Sequence, residues 1–177
     1  DLDSPAAFAG LLGGRRFGHW SLTIAGGEVV SRRYDGSTFI LVTEYAAPTG
    51  RAIVTEWMSG AGVRRDVLRR VECTSGTVRV RQSLRVRFGY GRIVPWASRA
   101  QDPDGSRCLR FVAGPDALTY RAEQLPTGHD EMYEAETRLS AGERADHVLS
   151  WNRSWEPAPP PLDVEDSLAG ARRVWRD

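Results

Sequence analysis

The stretch Phe88-Gly89-Tyr90-Gly91-Arg92-Ile93-Val94-Pro95-Trp96 concentrates groups suited to sugars in one turn. Two glycines free the backbone, Tyr90 and Trp96 offer aromatic faces for a pyranose ring, and Arg92 offers a planar fork of donors. A structural reading stands beside the functional one: Trp96 as core, Pro95 as a turn former, and Arg92 paired with an acid on a neighbouring domain. Tyr90, Arg92 and Trp96 are therefore candidates for a substrate rim, with both readings open.

Other groups carry less chemistry. His19, His129 and His147 stand far apart with no short-range ligand spacing, which gives no metal site and no triad. Hydrolysis of a glycosidic bond needs two carboxyl groups flanking the sugar. Asp35, Glu44, Glu56, Asp102, Asp104, Asp116 and Glu123 are available, but none sits in an apolar, aromatic setting that would raise a carboxyl pKa for acid catalysis. No catalytic residue, no cofactor and no metal are assigned.

The elements that position these groups read as β-rich. Runs at His19 to Ile24, Thr38 to Tyr45, Ala52 to Met58, Arg107 to Val112, Ala117 to Arg121, Tyr133 to Leu139 and Ala145 to Trp151 are separated by turn residues, Gly114-Pro115-Asp116 among them. The clearest is Thr77 to Phe88. There Val78, Val80, Leu84, Val86 and Phe88 share one parity, while Arg79, Arg81, Arg85 and Arg87 share the other. That pattern predicts an apolar face toward a core and an arginine face away from it, cross-paired to acids such as Glu72, Glu134 and Glu136.

The fold class is all-β, a two-layer antiparallel β-sandwich with a short N-terminal helical segment and a C-terminal linker helix. Pro5 to Leu12 is helix-capable, with Ser4 as its N-cap. From Glu156 the prolines favour an extended strap that cannot join a central ladder. Asp163 can then cap a helix whose Val164, Leu168, Ala171 and Trp175 share one face. Such a face needs something to pack on, so Trp155, Pro159, Pro160 and Trp175 are interdomain candidates, whereas Trp57 and Trp151 are core candidates. The division is 1–155 for the sandwich and 156–177 for strap and helix.

The 177 residues suffice for one domain with a full core. All 24 basic residues are arginine, and 23 acids leave a net charge of +1, which argues against an electrostatically driven nucleic-acid binder. No run is long and apolar enough for a membrane span, and no signal peptide opens the chain. Cys73 and Cys108 lack metal-ligand spacing and read as free thiols in a reducing, cytoplasmic setting, with one disulfide as the alternative.

Taken together, Asp3-Ser4-Pro5 with Phe8 and Leu11-Leu12-Gly13-Gly14, Gly18 and Trp20, Arg32-Arg33-Tyr34, Thr55-Glu56-Trp57-Met58, Arg70-Val71, Tyr90-Gly91-Arg92 to Pro95-Trp96, Gly114-Pro115-Asp116-Ala117-Leu118 and the strap from Glu156 to Leu162 resemble the N-terminal domain of family 15 glycoside hydrolases, the glucoamylase and trehalase type. The match runs over nearly the whole chain. It departs where relatives carry acid-Phe-Met-Pro, here Glu56-Trp57-Met58-Ser59, and where an Asp precedes Tyr-Gly-Arg, here Gly89.

The resemblance implies a supersandwich-like domain, a further stretch ahead of the Asp-Ser-Pro element, and a helical catalytic barrel beyond Asp177 that holds both catalytic carboxylates. The implied role is a non-catalytic accessory domain that shapes the pocket of an enzyme cleaving α-glucosides by inversion. Its partner is then the catalytic domain of the same polypeptide, with substrate met only through it, no nucleic acid and no membrane, and homo-oligomerisation left open. An independent carbohydrate-binding module is the alternative, and a phosphate or nucleic-acid binder using the arginine face is a distant third.

Overall fold

The computed structural model describes residues 6–59, 64–102 and 104–174. Eleven strands run in chain order: β1 (His19–Ile24), β2 (Glu28–Tyr34), β3 (Leu41–Ala47), β4 (Gly50–Met58), β5 (Arg65–Arg85), β6 (Trp96–Gln101), β7 (Arg107–Ala113), β8 (Asp116–Ala122), β9 (Thr127–His129), β10 (Met132–Ser140) and β11 (Arg144–Arg153). Helix α1 (Gly10–Gly13) precedes them and α2 (Val164–Val174) follows. All pairings are antiparallel.

The sandwich is built around β5, a 21-residue strand longer than the run predicted at Thr77 to Phe88. Its first half pairs with β4 and β11 inside an eight-strand sheet ordered β2-β3-β4-β5-β11-β8-β7-β6. Its second half pairs with β1 and β10, and β10 also pairs with β9, which makes the smaller second sheet. One strand thus serves both layers, and the crossing falls at Gly76 (φ +67), where a Cβ would lie 2.2 Å from the Thr49 carbonyl oxygen. Only glycine fits that approach.

Between the layers lie two apolar clusters. One joins Leu22, Ile24, Val78, Val80 and Leu139 of the small sheet to Ala52, Val54, Val71 and Cys73 of the large one. The other joins Leu84, Val86 and Phe88 to Leu109, Phe111, Leu118, Tyr120 and Leu149. The five apolar residues of one parity on β5 and just past its end are all buried, as their alternation predicts. On the opposite face Arg79 and Arg81 are exposed and both pair with Glu136 on β10, Glu136 lying directly opposite Arg81 in register. Arg87 departs from that pattern. It lies beyond the end of β5, is buried, and ion-pairs with Glu131, so the expected arginine face is three residues long rather than four.

Two further expectations change. The N-terminal helix is confined to Gly10–Gly13 with no side-chain cap, and the proposed cap Ser4 lies outside the described residues. The apolar face of α2 does not wait for another domain: Leu168 and Ala171 pack with Ile40, Trp57, Leu68 and Val148 on the outer face of the large sheet, flanked by Leu162 and Val164. The helix is a third layer. Asp163 caps it by accepting the Asp166 amide (2.9 Å), Glu165 holds Arg70 and Arg144, and Arg172 reaches Asp35.

Candidate functional site

The turn after β5 is closed by paired backbone bonds between Phe88 and Ile93, each 3.0 Å. Gly89, Tyr90 and Gly91 all adopt positive φ, at 56°, 59° and 90°. That conformation is costly for a tyrosine. It is held because the Tyr90 amide donates to the Ala6 carbonyl (3.2 Å) and because Phe17 lies where a Cβ on Gly91 would sit, 2.6 Å from the ring. The N-terminal segment and the turn therefore build one end of the sandwich together. Sequence spacing alone did not join Phe17 to Gly91, since the contact exists only once β5 returns to the chain start.

This end displays apolar side chains to solvent. Trp96 is 79% exposed, which excludes the core reading, and Tyr90, Ile93 and Val94 are each about half exposed. Leu11 and Leu12 of α1 are exposed too, and they border with Tyr90 an open cleft of about 510 Å³. Arg92 is exposed and its guanidinium makes no bond or ion pair with the described residues. Exposed apolar side chains gathered in this way make this end a candidate binding face.

The strap is held differently. Prolines lack N–H groups, so an extended proline segment can be fastened only through its carbonyls. The outer face of the large sheet supplies donors to match. Arg121 donates to the Pro159 carbonyl (2.7 Å), Arg64 to that of Pro160 (2.9 Å), and Asn152 to those of Glu156 and Pro157 (3.1 and 3.3 Å). The two buried carboxylates of this face, Asp66 and Asp102, neutralise those arginines through paired bonds of 2.7 to 3.2 Å. Both carboxylates are engaged by these arginines. Trp155 stands 64% exposed beside Arg153, whose guanidinium is 5.4 Å from its ring. Trp175 lies outside the described residues.

A polar centre that sequence reasoning missed interrupts the core. The Tyr120 hydroxyl donates to Gln82 Oε1 (2.8 Å) and lies 2.7 Å from His147 Nδ1. Trp20 meets the Tyr120 ring edge-on, and Arg69 stacks over Trp20 at 4.3 Å while pairing with Glu56. Burial pushes the Tyr120 hydroxyl well above its ordinary pKa and drives the His147 imidazole down to about 4. The clue available beforehand was Gln82 on the otherwise aliphatic parity of β5. The other histidines stay apart: His19 bonds the Arg15 carbonyl and Ser83, and His129 is exposed beside Asp130. Among the described residues no three His, Cys, Asp or Glu groups come together as metal ligands, and no helix is long and apolar enough to cross a membrane.

The fold and these surfaces define a β-sandwich domain with exposed apolar and aromatic side chains at one end and a proline strap laid along one face. The chain belongs to the family of trehalase-like N-terminal domains, whose model matches residues 1–109. It is similar to the trehalase of Mycolicibacterium smegmatis, 28% identical over 201 aligned positions that cover 98% of this chain and 29% of that protein. The trehalase of Mycobacterium tuberculosis is 28% identical over 200 positions, covering 98% of this chain and 28% of its own length. The chain thus spans less than a third of the length of either relative.

Proposed function

We propose that this chain is the non-catalytic N-terminal accessory domain of a family 15 glycoside hydrolase of the trehalase or glucoamylase type. It braces a helical catalytic domain and shapes the rim of a pocket that cleaves α-glucosides with inversion. The observation that carries this reading is the exposed apolar end formed by Leu11, Leu12, Tyr90, Ile93, Val94 and Trp96, in a chain that corresponds to under a third of two trehalases. Arg92, whose guanidinium has no partner among the described residues, is the natural ion-pair or hydroxyl contact of that rim. The strap supports the same reading: Pro159 and Pro160 are held by Arg121 and Arg64 and α2 packs on the large sheet, so a domain following α2 would start from a fixed support rather than a loose tether. We divide the chain at residue 155, with 156–177 as a strap and helix that are docked on the sandwich and lead toward the following domain. Trp155 is the exposed anchor on this side, and Trp175, outside the described residues, is proposed as a second one.

A cytoplasmic location fits the two cysteines, which are buried and not joined in a disulfide.

The test compares the 177-residue chain with the full-length parent protein. Trehalose and maltose hydrolysis is expected from the parent and not from the chain. In the parent, Trp96→Ser and Arg92→Ala should lower kcat/KM or loosen the domains to limited proteolysis. Turnover by the chain alone, lost on mutating one of its own carboxylates, refutes the accessory role; a parent indifferent to both substitutions refutes the rim.

A further inference from the structure

The second half of β10 is an open sheet edge. Met132 to Glu134 pair with β9 on one side, but along residues 135–139 the strand pairs with β5 alone among the described residues. The Ala141 amide donates to the Gly76 carbonyl of β5 (2.9 Å), while the Ser140 amide turns the other way, to Glu143 Oε2 (2.7 Å). Backbone groups of successive residues alternate in direction along an antiparallel strand, so the N–H and C=O groups of Glu136 and Arg138 point away from β5. They make no hydrogen bond with the described residues. A groove of about 690 Å³, lined by Thr137, Arg138 and Leu139 together with Gln124 and Leu125, keeps this side of the strand clear.

The side chains along this edge complement themselves. Glu136 and Arg138 are exposed on the outer face, while Ala135, Thr137 and Leu139 share the opposite, more buried one. Two copies paired antiparallel about a twofold axis at Thr137 set Glu136 opposite the partner's Arg138 and Arg138 opposite the partner's Glu136. In that register outward-pointing residues meet, so every open N–H and C=O of both strands is bonded. On the other face Thr137 meets the partner's Thr137, and Ala135 the partner's Leu139. Arg138 lacks a carboxylate within its own chain: it lies opposite Arg79 in register and makes no side-chain hydrogen bond or ion pair with the described residues. Glu136 is shared by Arg79 and Arg81, and its two oxygens keep acceptor positions for a further donor. β9 closes the window at Glu134, and the bond from Ser140 to Glu143 closes it beyond Leu139, which centres any added strand on Thr137. Charged edges usually repel their own copies, and the other long edges fit none: β2 bulges between Val29 and Ser31, and β1 and β6 carry no acid.

We propose that residues 135–139 of β10 form a self-association surface, on which a second copy of this chain adds its own β10 antiparallel about Thr137. The two smaller sheets then join into one, with Glu136 and Arg138 paired across the axis at both symmetric contacts. The proposal does not depend on the accessory role.

Sedimentation equilibrium over a concentration series measures the dimer, and amide hydrogen exchange read by NMR follows Glu136 and Arg138. A dimer is expected, with exchange at those two amides slowing as concentration rises. Arg138→Glu sets like charges against each other at both contacts, and Arg138→Pro removes an outward N–H without touching a bond to β5. Each should raise the dimer dissociation constant about tenfold, with the Tm of the dilute, monomeric chain unchanged. Mixing Arg138→Glu with Glu136→Arg restores opposite charges at both contacts and should yield mixed dimers. The proposal is overturned by a chain that stays monomeric throughout the series, by variants that dimerise as tightly as the parent chain, by a mixture that stays monomeric, or by Glu136 and Arg138 amides protected equally at every concentration, which would show this edge covered by a segment of the same chain.

Discussion

The indole nitrogen of Trp57 on β4 donates to the hydroxyl of Ser167 on α2 at 3.1 Å, across 110 residues of sequence. With Leu168 and Ala171 packed beside it, this bond makes the C-terminal helix part of the domain rather than a free connector. The helix sets where the following chain begins.

Leu168→Ala should therefore destabilise this chain by about 3 kcal/mol, the loss usual for a buried leucine cut to alanine. Urea unfolding measures it. A change near zero would mean that α2 detaches in solution and that the third layer does not hold.

Arg121→Ala should cost about 3 to 5 kcal/mol, because it strands the buried Asp102 carboxylate and also releases the Pro159 carbonyl. Arg33→Ala, which removes a pair with Glu44 on the exposed outer strands, should cost less than about 1 kcal/mol. Equal effects in thermal or chemical unfolding would contradict the strap-clamp account.

The pH dependence has a definite sign. His147 is held at about 4 in the folded chain by burial, with Asp146 opposing the shift and Arg69 adding to it. An unfolded histidine titrates near 6.5, so as pH falls below that value the unfolded chain takes up a proton that the folded chain refuses. The contribution is complete above about pH 6.5 and is lost between there and about 4, roughly 3 kcal/mol in all. His147→Gln should flatten stability across that window, and a slope that survives the substitution would place the effect elsewhere.

Trp96→Ser should change the stability of this chain by no more than about 0.5 kcal/mol, since the side chain is 79% exposed. A loss of several kcal/mol would show that the indole packs within the sandwich and is not offered to a partner.

Much of the fold was legible in the residues. Strands with one face in the core announce themselves by alternation, and β1 matches its predicted span His19 to Ile24 while β4, β7, β8, β10 and β11 lie within a few residues of theirs. Strands β2 and β6 were not legible. They are the two edges of the large sheet, none of their residues is buried, and no alternation is imposed where neither face is covered.

The candidate rim was visible as a cluster of types, Tyr90, Arg92 and Trp96, but its exposure was not. That depended on Phe17 and Ala6 pinning the turn from the other end of the chain. The apolar stripe of α2 was visible too; what it packs on was decided by the outer face of β4, β5 and β11.

Composition and period thus determined the all-β class, the parity of β5, the proline strap and the terminal helix, because those follow from neighbours in sequence. Tertiary structure alone decided that Arg87 is buried against Glu131, that Arg121 and Arg64 clamp the strap, and that His147 lies buried beside Tyr120. Each of those pairs brings together groups 38 to 96 residues apart or, for His147 and Tyr120, 27 apart on adjacent strands. The energy of a buried charge or an unpaired polar atom depends on what surrounds it, and no local pattern records that environment.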